Sequence, residues 1–221
     1  MSQNFLKRMV TSIVLLSLLF IINFSHKYIF ILSILILGTI ICIEANNLFS
    51  KLLSIKNLKI NYSPKKFNLK FYILNIITFV YVFFIFCYFS YEIYRSISSI
   101  FFLYIISICF FTDIGGYVVG KIIGGKKLSK ISPNKTISGA IGSFVFSVVP
   151  LILILNFNYL NIEINFNNII FCLLISLISQ LGDLFVSFLK RKAKTKDTGK
   201  LLPGHGGVLD RVDGIIFAVP F

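Results

Sequence analysis

Cysteine is scarce and forms no recognisable pattern. Cys42, Cys87, Cys109 and Cys172 lie within or at the edge of apolar runs, with no CxxC spacing. Neither a zinc site nor a disulfide framework follows, and small buried hydrophobes are their expected role. Acidic residues are also few, 8 against 22 Lys and Arg, giving a formal net charge of +14. Internal repeats, a long disordered tract and a separate soluble domain are missing. The first apolar stretch follows Lys7 and Arg8 as a secretion signal would. No small-residue cleavage site comes after it, so it is expected to be retained. What abounds is apolar: 57% of residues are hydrophobic and the mean hydropathy is +0.89. That excludes an ordinary soluble domain of 221 residues.

A helix needs about 20 mostly apolar residues to cross the hydrocarbon of a bilayer. Six stretches qualify as expected spans: 9–25, 28–45, 70–91, 96–113, 137–156 and 167–187. A seventh, 214–221, has eight residues and would rise only about 12 Å as a helix. It either docks as a half-helix or marks a chain that stops short. The expected fold is an all-α polytopic membrane protein with about six full spans, a short C-terminal helical segment and a cytoplasmic N-terminus. It forms one integral membrane domain, with N-terminal spans over 1–111 and a catalytic part over 112–221. With the N-terminus inside, 20 of the 22 Lys and Arg fall on the cytoplasmic side, and only Lys27 and Arg95 fall outside. This is a strong positive-inside bias, and it also attracts anionic lipid. The sizeable polar loops, 51–69, 114–136 and 188–212, then all face the cytoplasm.

The richest of these loops reads SFLKRKAKTKDTGKLLPGHGGVLDRVD from Ser187 to Asp213. Lys190, Arg191, Lys196 and Arg211 can neutralise phosphate oxygens. Gly206 and Gly207 let the backbone approach a ligand closely. Asp210 and Asp213 stand three apart, so on a helix they share a face and could hold a divalent cation through oxygen. Basic groups, a hard-metal site and a membrane together suggest phosphate chemistry on a lipid.

Two further pieces carry chemistry. The fourth span ends in Asp113, and an ionisable group there is a functional candidate by default. The following GKIIGGK, Gly120 to Lys126, has P-loop-like glycines and lysine, but Lys127 stands where Ser or Thr is required and no strand precedes it. A P-loop is excluded. In Ser132-Pro133-Asn134-Lys135-Thr136 the proline fixes a turn, Ser132 and Thr136 offer hydroxyls and helix caps, and Lys135 adds a cation where the fifth helix begins. Gly139 and Gly142 permit close helix packing; a capped helix with a small-residue face is the plainer explanation of this piece. Gln180-Leu181-Gly182-Asp183 lies near the end of the sixth span. A carboxylate there needs a partner, either a metal shared with Asp210 or a lysine such as Lys190 or Arg191. Glu44, at the end of the second span, is the weakest candidate and is expected only to mark the interface.

The 187–213 segment resembles the signature of the phosphatidate cytidylyltransferases, the CDP-diacylglycerol synthases. The match rests on Ser187, Lys190, Arg191, Lys196, Asp197, Gly199, Leu202, Pro203, His205, Gly206, Gly207, Asp210, Arg211 and Asp213. The Gln180–Asp183 and Ser-Pro-x-Lys-Thr pieces resemble family segments in the expected order. The likeness covers about 112–214, and the N-terminal third matches only as generic spans. One departure is Ser138, where the family commonly has an acidic residue before glycine.

The resemblance implies that CTP and phosphatidate give CDP-diacylglycerol and pyrophosphate at the inner membrane of a bacterium. It implies Mg²⁺ held by Asp183 and Asp210, and charge neutralisation by Lys190, Arg191, Lys196 and Arg211. Asp213 would be a ligand, an orienter or a partner of Arg211. Ser132, Lys135 and Thr136 would bind phosphate, and Asp113, Asp197, Gly206 and Gly207 complete the expected substrate-binding set. His205 would be a hydrogen-bond donor or loop organiser, since an ionised phosphatidate needs no strong base. Nucleic acid is not an expected partner, and a homodimer is compatible with the resemblance. The alternatives are a lipid-phosphate or polyprenol kinase of related fold and a non-enzymatic anionic-lipid-binding protein. A CDP-alcohol phosphatidyltransferase is excluded by the missing DGxxAR-type aspartates.

Overall fold

A computed structural model of the chain describes residues 3–57, 69–129, 132, 135–157 and 164–221. Pro133, Asn134, Lys59, Lys65, Lys66 and Lys130 lie outside the described residues, as do the side chains of Lys7, Arg8 and Lys56. Regular structure among the described residues is helical, with isolated bridges only at Lys127–Thr136 and Leu202–Gly206. The helices are α1 (Gln3–Asn23), α2 (Lys27–Asn57), α3 (Leu69–Val80), α4 (Tyr88–Glu92), α5 (Ser99–Ile123), α6 (Ile137–Ser147), α7 (Val149–Phe157), α8 (Phe166–Lys192), α9 (Leu209–Val212) and α10 (Ile215–Ala218). Wider π-helical turns at Tyr81–Cys87 and Ile93–Ile97 continue α3 and α4.

Among the described residues five stretches are long and apolar enough to cross a membrane: Lys27–Leu53, Leu69–Ile97, Ser99–Ile123, Ile137–Ile154 and Phe166–Lys192. The protein is an all-α polytopic membrane protein. The expected first span is shorter than the other five: its apolar part, Met9–Asn23, rises only about 22 Å. Several helices also outrun their expected ends, the second and the fourth by the most. The second continues to Asn57 because no Gly or Pro follows its expected end at residue 45 and Leu48, Phe49 and Leu53 stay buried. The fourth span runs on to Ile123, so Asp113 sits within a helix rather than at its end. Three glycines lie in that extension, each costing about 1 kcal/mol against alanine, and helix packing supplies the compensation.

By its contacts the chain divides into two compact units that interleave along the sequence, Met1–Tyr91 with Leu189–Val212 and Glu92–Phe188 with Asp213–Phe221. The first buries Phe30, Ile41 and Leu48 of α2 and Val82 and Phe86 of the π-helical turn. Gly38 makes room there: a Cβ on it would come within 3.1 Å of Cys87 Sγ.

The second unit is organised by α5 against α6. Lipid competes equally for apolar side chains, so membrane helices associate through close backbone approach at small residues. A Cβ on Gly115 would lie 2.6 Å from Gly142 O, one on Gly116 2.6 Å from Ser143 Oγ, and one on Gly139 2.6 Å from Gly116 O. Ile108, Leu151, Cys172 and Ile175 are fully buried, and Tyr104 Oη lies 3.1 Å from Cys172 Sγ. The C-terminal turn docks on α8, where Gly182 would meet Asp213 O at 2.8 Å if it carried a Cβ.

Candidate active site

In the second unit, the close α5–α6 contact leaves an open cleft of about 320 Å³ beside α8. Asp113 from α5, Ser132, Lys135 and Thr136 from the connecting segment, and Gln180 and Asp183 from α8 all line it. The three scattered sequence pieces therefore meet. Thr136 is the N-cap of α6, its hydroxyl accepting from Gly139 N at 3.1 Å. The connection is pinned by Leu128 N donating to Lys135 O at 2.8 Å and Ile137 N to Lys126 O at 3.0 Å. Gly124 and Gly125, with φ of 64° and 103°, turn the chain out of α5. Ser138, at the family's usual acidic position, donates its hydroxyl to Gly124 O.

Lys135 Nζ forms an ion pair with Asp183 Oδ2, both side chains partly exposed. Ser187 Oγ donates to the other oxygen of Asp183 at 3.3 Å. The cation that Asp183 needed comes from the α5–α6 connection, and sequence proximity to Lys190 or Arg191 did not indicate it. Asp213 Oδ1 accepts from Gly214 N at 3.0 Å.

In the first unit, the segment after α8 folds around two carboxylates. Lys190 Nζ meets Asp210 Oδ1 at 2.7 Å. Asp210 Oδ2 accepts from Thr198 N at 2.8 Å, Gly207 N at 3.0 Å and Thr198 Oγ1 at 3.1 Å. Burial pushes the Asp210 carboxyl up, but Lys190 and these backbone N–H groups outweigh it and hold it below its ordinary value. Between them a tight turn forms, with Leu202 N donating to Gly206 O at 2.9 Å and His205 N to Leu202 O at 3.0 Å. Gly204 and Gly206 adopt φ of 76° and 84° in that turn, which glycine tolerates without strain.

His205 Nδ1 lies 2.6 Å from Thr11 Oγ1 of α1, and its carbonyl accepts from Arg211 Nη2 at 2.8 Å. The turn borders a second cavity of about 550 Å³, which Lys196, Asp197, His205, Gly206 and Arg211 line. Arg191 is exposed.

Glu44 of α2 and Thr198 of the loop have roles here that the sequence did not indicate. Glu44 is 3% exposed and accepts from Val208 N at 3.0 Å, Leu209 N at 2.9 Å and Thr198 Oγ1 at 2.8 Å. It is a buried loop anchor, not an interface marker. An acid in an apolar run was the available signal; its partners lie more than 150 residues away. Thr198 sits among the signature positions without belonging to them.

Among the described residues no cluster of three or more His, Cys, Asp or Glu is placed to hold a metal. The donor set is nonetheless hard oxygen, and Asp113 and Asp183 face one cleft. That suits an ion such as Mg²⁺, which takes one or two carboxylates and fills its remaining positions with water and phosphate.

Fold and clefts together define a polytopic α-helical membrane protein with lysine–carboxylate sites suited to anionic groups. The chain belongs to the cytidylyltransferase family, whose sequence profile matches residues 7–221. It is 41% identical over 127 residues to a phosphatidate cytidylyltransferase of Staphylococcus haemolyticus, covering 57% of this chain and 48% of that one. A Brucella suis protein of the same name is 43% identical over 117 residues, covering 52% and 43%. One from Staphylococcus aureus (strain COL) is 43% identical over 130 residues, covering 57% and 48%. The chain thus spans about half the length of these curated relatives.

Proposed function

We propose that the chain transfers the cytidylyl group of CTP to phosphatidate, releasing pyrophosphate, at the inner membrane of a bacterium with its polar loops cytoplasmic. The observation that carries this reading is the cleft where Lys135, Ser132, Thr136 and Asp183 converge. A cation, two hydroxyls and a carboxylate beside an apolar wall suit a phosphate attached to a lipid. The names of the relatives supply the reaction class.

In the reaction a phosphatidate oxygen bonds to the α-phosphorus of CTP while the bond to the β-phosphate oxygen breaks. The attacking phosphate is already ionised, so positioning and charge neutralisation dominate. Lys135, with Ser132 and Thr136, would hold phosphate oxygens in the cleft. Arg191, Lys196 and Arg211 would meet the nucleotide's phosphates and the departing pyrophosphate. Lys190 is committed to Asp210, so its part is to shape the loop that carries those cations. Mg²⁺ would be held at Asp183, which shares its cleft with Asp113 and already attracts a lysine ammonium. Bound there, the ion would neutralise phosphate charge. A homodimer is the proposed assembly.

The test is pyrophosphate release from CTP by the detergent-purified chain, with and without phosphatidate and Mg²⁺. Release requiring both is expected, and Asp183→Asn should abolish it. Release of CDP from CTP, or of ADP when ATP is supplied in its place, would favour a lipid kinase. Binding of anionic vesicles with no nucleotide turnover would leave a lipid-binding protein.

A further inference from the structure

The Glu44 carboxylate belongs to α2, yet it accepts hydrogen bonds from Thr198, Val208 and Leu209 of the distant loop. Thr198 Oγ1 is shared, at 2.8 Å from Glu44 Oε2 and 3.1 Å from Asp210 Oδ2. A threonine hydroxyl carries one proton, so two buried carboxylates draw on a single donor. The glycines beside it fit the same arrangement. A Cβ on Gly207 would collide with Thr198 Oγ1 and Glu44 Oε2, and one on Gly199 with Glu44 Oε1. Two glycines of the signature loop thus leave room for a carboxylate from a distant helix.

We infer that Glu44 is a positioning residue acting through Thr198: together they lock the 196–211 loop in the form that presents Lys196, His205 and Arg211 to their cavity. Glu44 does not line that cavity; it holds the backbone from behind. Its catalytic consequence rests on the proposed cytidylyl transfer, whereas the loop-locking itself does not.

The variants are Glu44→Gln, Thr198→Val and their double, with Glu92→Gln as a control acid bonded to Ser96. Trypsin cleavage after Lys196 and Lys200 in the full detergent-solubilised chain reads loop opening directly. Glu44→Gln should speed it about tenfold and Thr198→Val by less, since a hydrogen bond to a buried charge is lost. The double variant should fall short of the product of the two single effects, because the Thr198–Glu44 bond is common to both while Asp210 and the Val208 and Leu209 amides are bonded separately. Where pyrophosphate release is measurable, Glu44→Gln should raise KM for CTP. Mere loss of folded protein would lower apparent kcat and leave KM alone. Wild-type cleavage rates in both single variants would overturn the inference, and fully multiplicative effects would overturn the role of Thr198. If Glu44→Gln fails to fold, Thr198→Val decides alone. A chain that releases no pyrophosphate but shows the cleavage pattern would sink the proposed activity and keep the lock.

Discussion

Replacing Lys190 by methionine tests the loop where burial makes charge expensive. Lys190 and Asp210 are 13% and 5% exposed, against 33% and 23% for Lys135 and Asp183. Removing one partner of a buried pair typically costs about 3–5 kcal/mol, whereas exposed pairs contribute about 0–1 kcal/mol. Asp210 would keep three donors, the Thr198 and Gly207 amides and the Thr198 hydroxyl. The cost should therefore fall to about 2–3 kcal/mol, the loss of one charged hydrogen bond. At about 1.4 kcal/mol per factor of ten, amide exchange at Thr198 and Gly207 should accelerate roughly 30- to 150-fold. Hydrogen exchange read by mass spectrometry over 194–208 measures this. Lys135→Met, read at the amides of Leu128 and Ile137, should change exchange by less than about fivefold. Adding Asp210→Asn to Lys190→Met should recover part of the loss, because no buried charge is then left unpaired. Equal effects of the two lysine replacements, each at its own segment, would refute the reasoning.

The depressed carboxyl of Asp210 gives a pH dependence of definite sign. Its stabilisation is fully present above the ordinary value of 3.8 and is lost as pH falls through the lower folded value; loop protection, corrected for intrinsic exchange, should be flat from neutral pH to about 4, with the acid limb gone in Asp210→Asn. Gly139→Ala forces a Cβ to within 2.6 Å of Gly116 O, and such overpacking should cost about 1–3 kcal/mol. At about 2–4 °C per kcal/mol for a chain of this size, the thermal midpoint in detergent should drop measurably, while Gly125→Ala, with open space around it, should act only through its positive φ.

The apolar runs, the absence of soluble-domain composition and the family signature were all legible in the chain, because hydropathy and local spacing act over tens of residues. They determined an α-helical membrane protein and directed attention to Asp113, Lys135, Asp183 and Asp210. Helix ends were less legible: α5 continues through its glycines because α6 packs on them, and no local propensity says so. Nor did sequence reveal which lysine answers which aspartate. Lys190, seven residues from Asp183, bonds Asp210, while Asp183 takes Lys135 from 48 residues away. Glu44 shows the limit most plainly, since its meaning depends on amides and a hydroxyl 154 to 165 positions away in the sequence. The sequence alone determined which segments enter the membrane and which residue types are present for phosphate chemistry. Only tertiary structure decided which charges meet, because the cost of burying a carboxylate is relieved by whichever donors the fold brings within 3 Å, not by its neighbours along the chain.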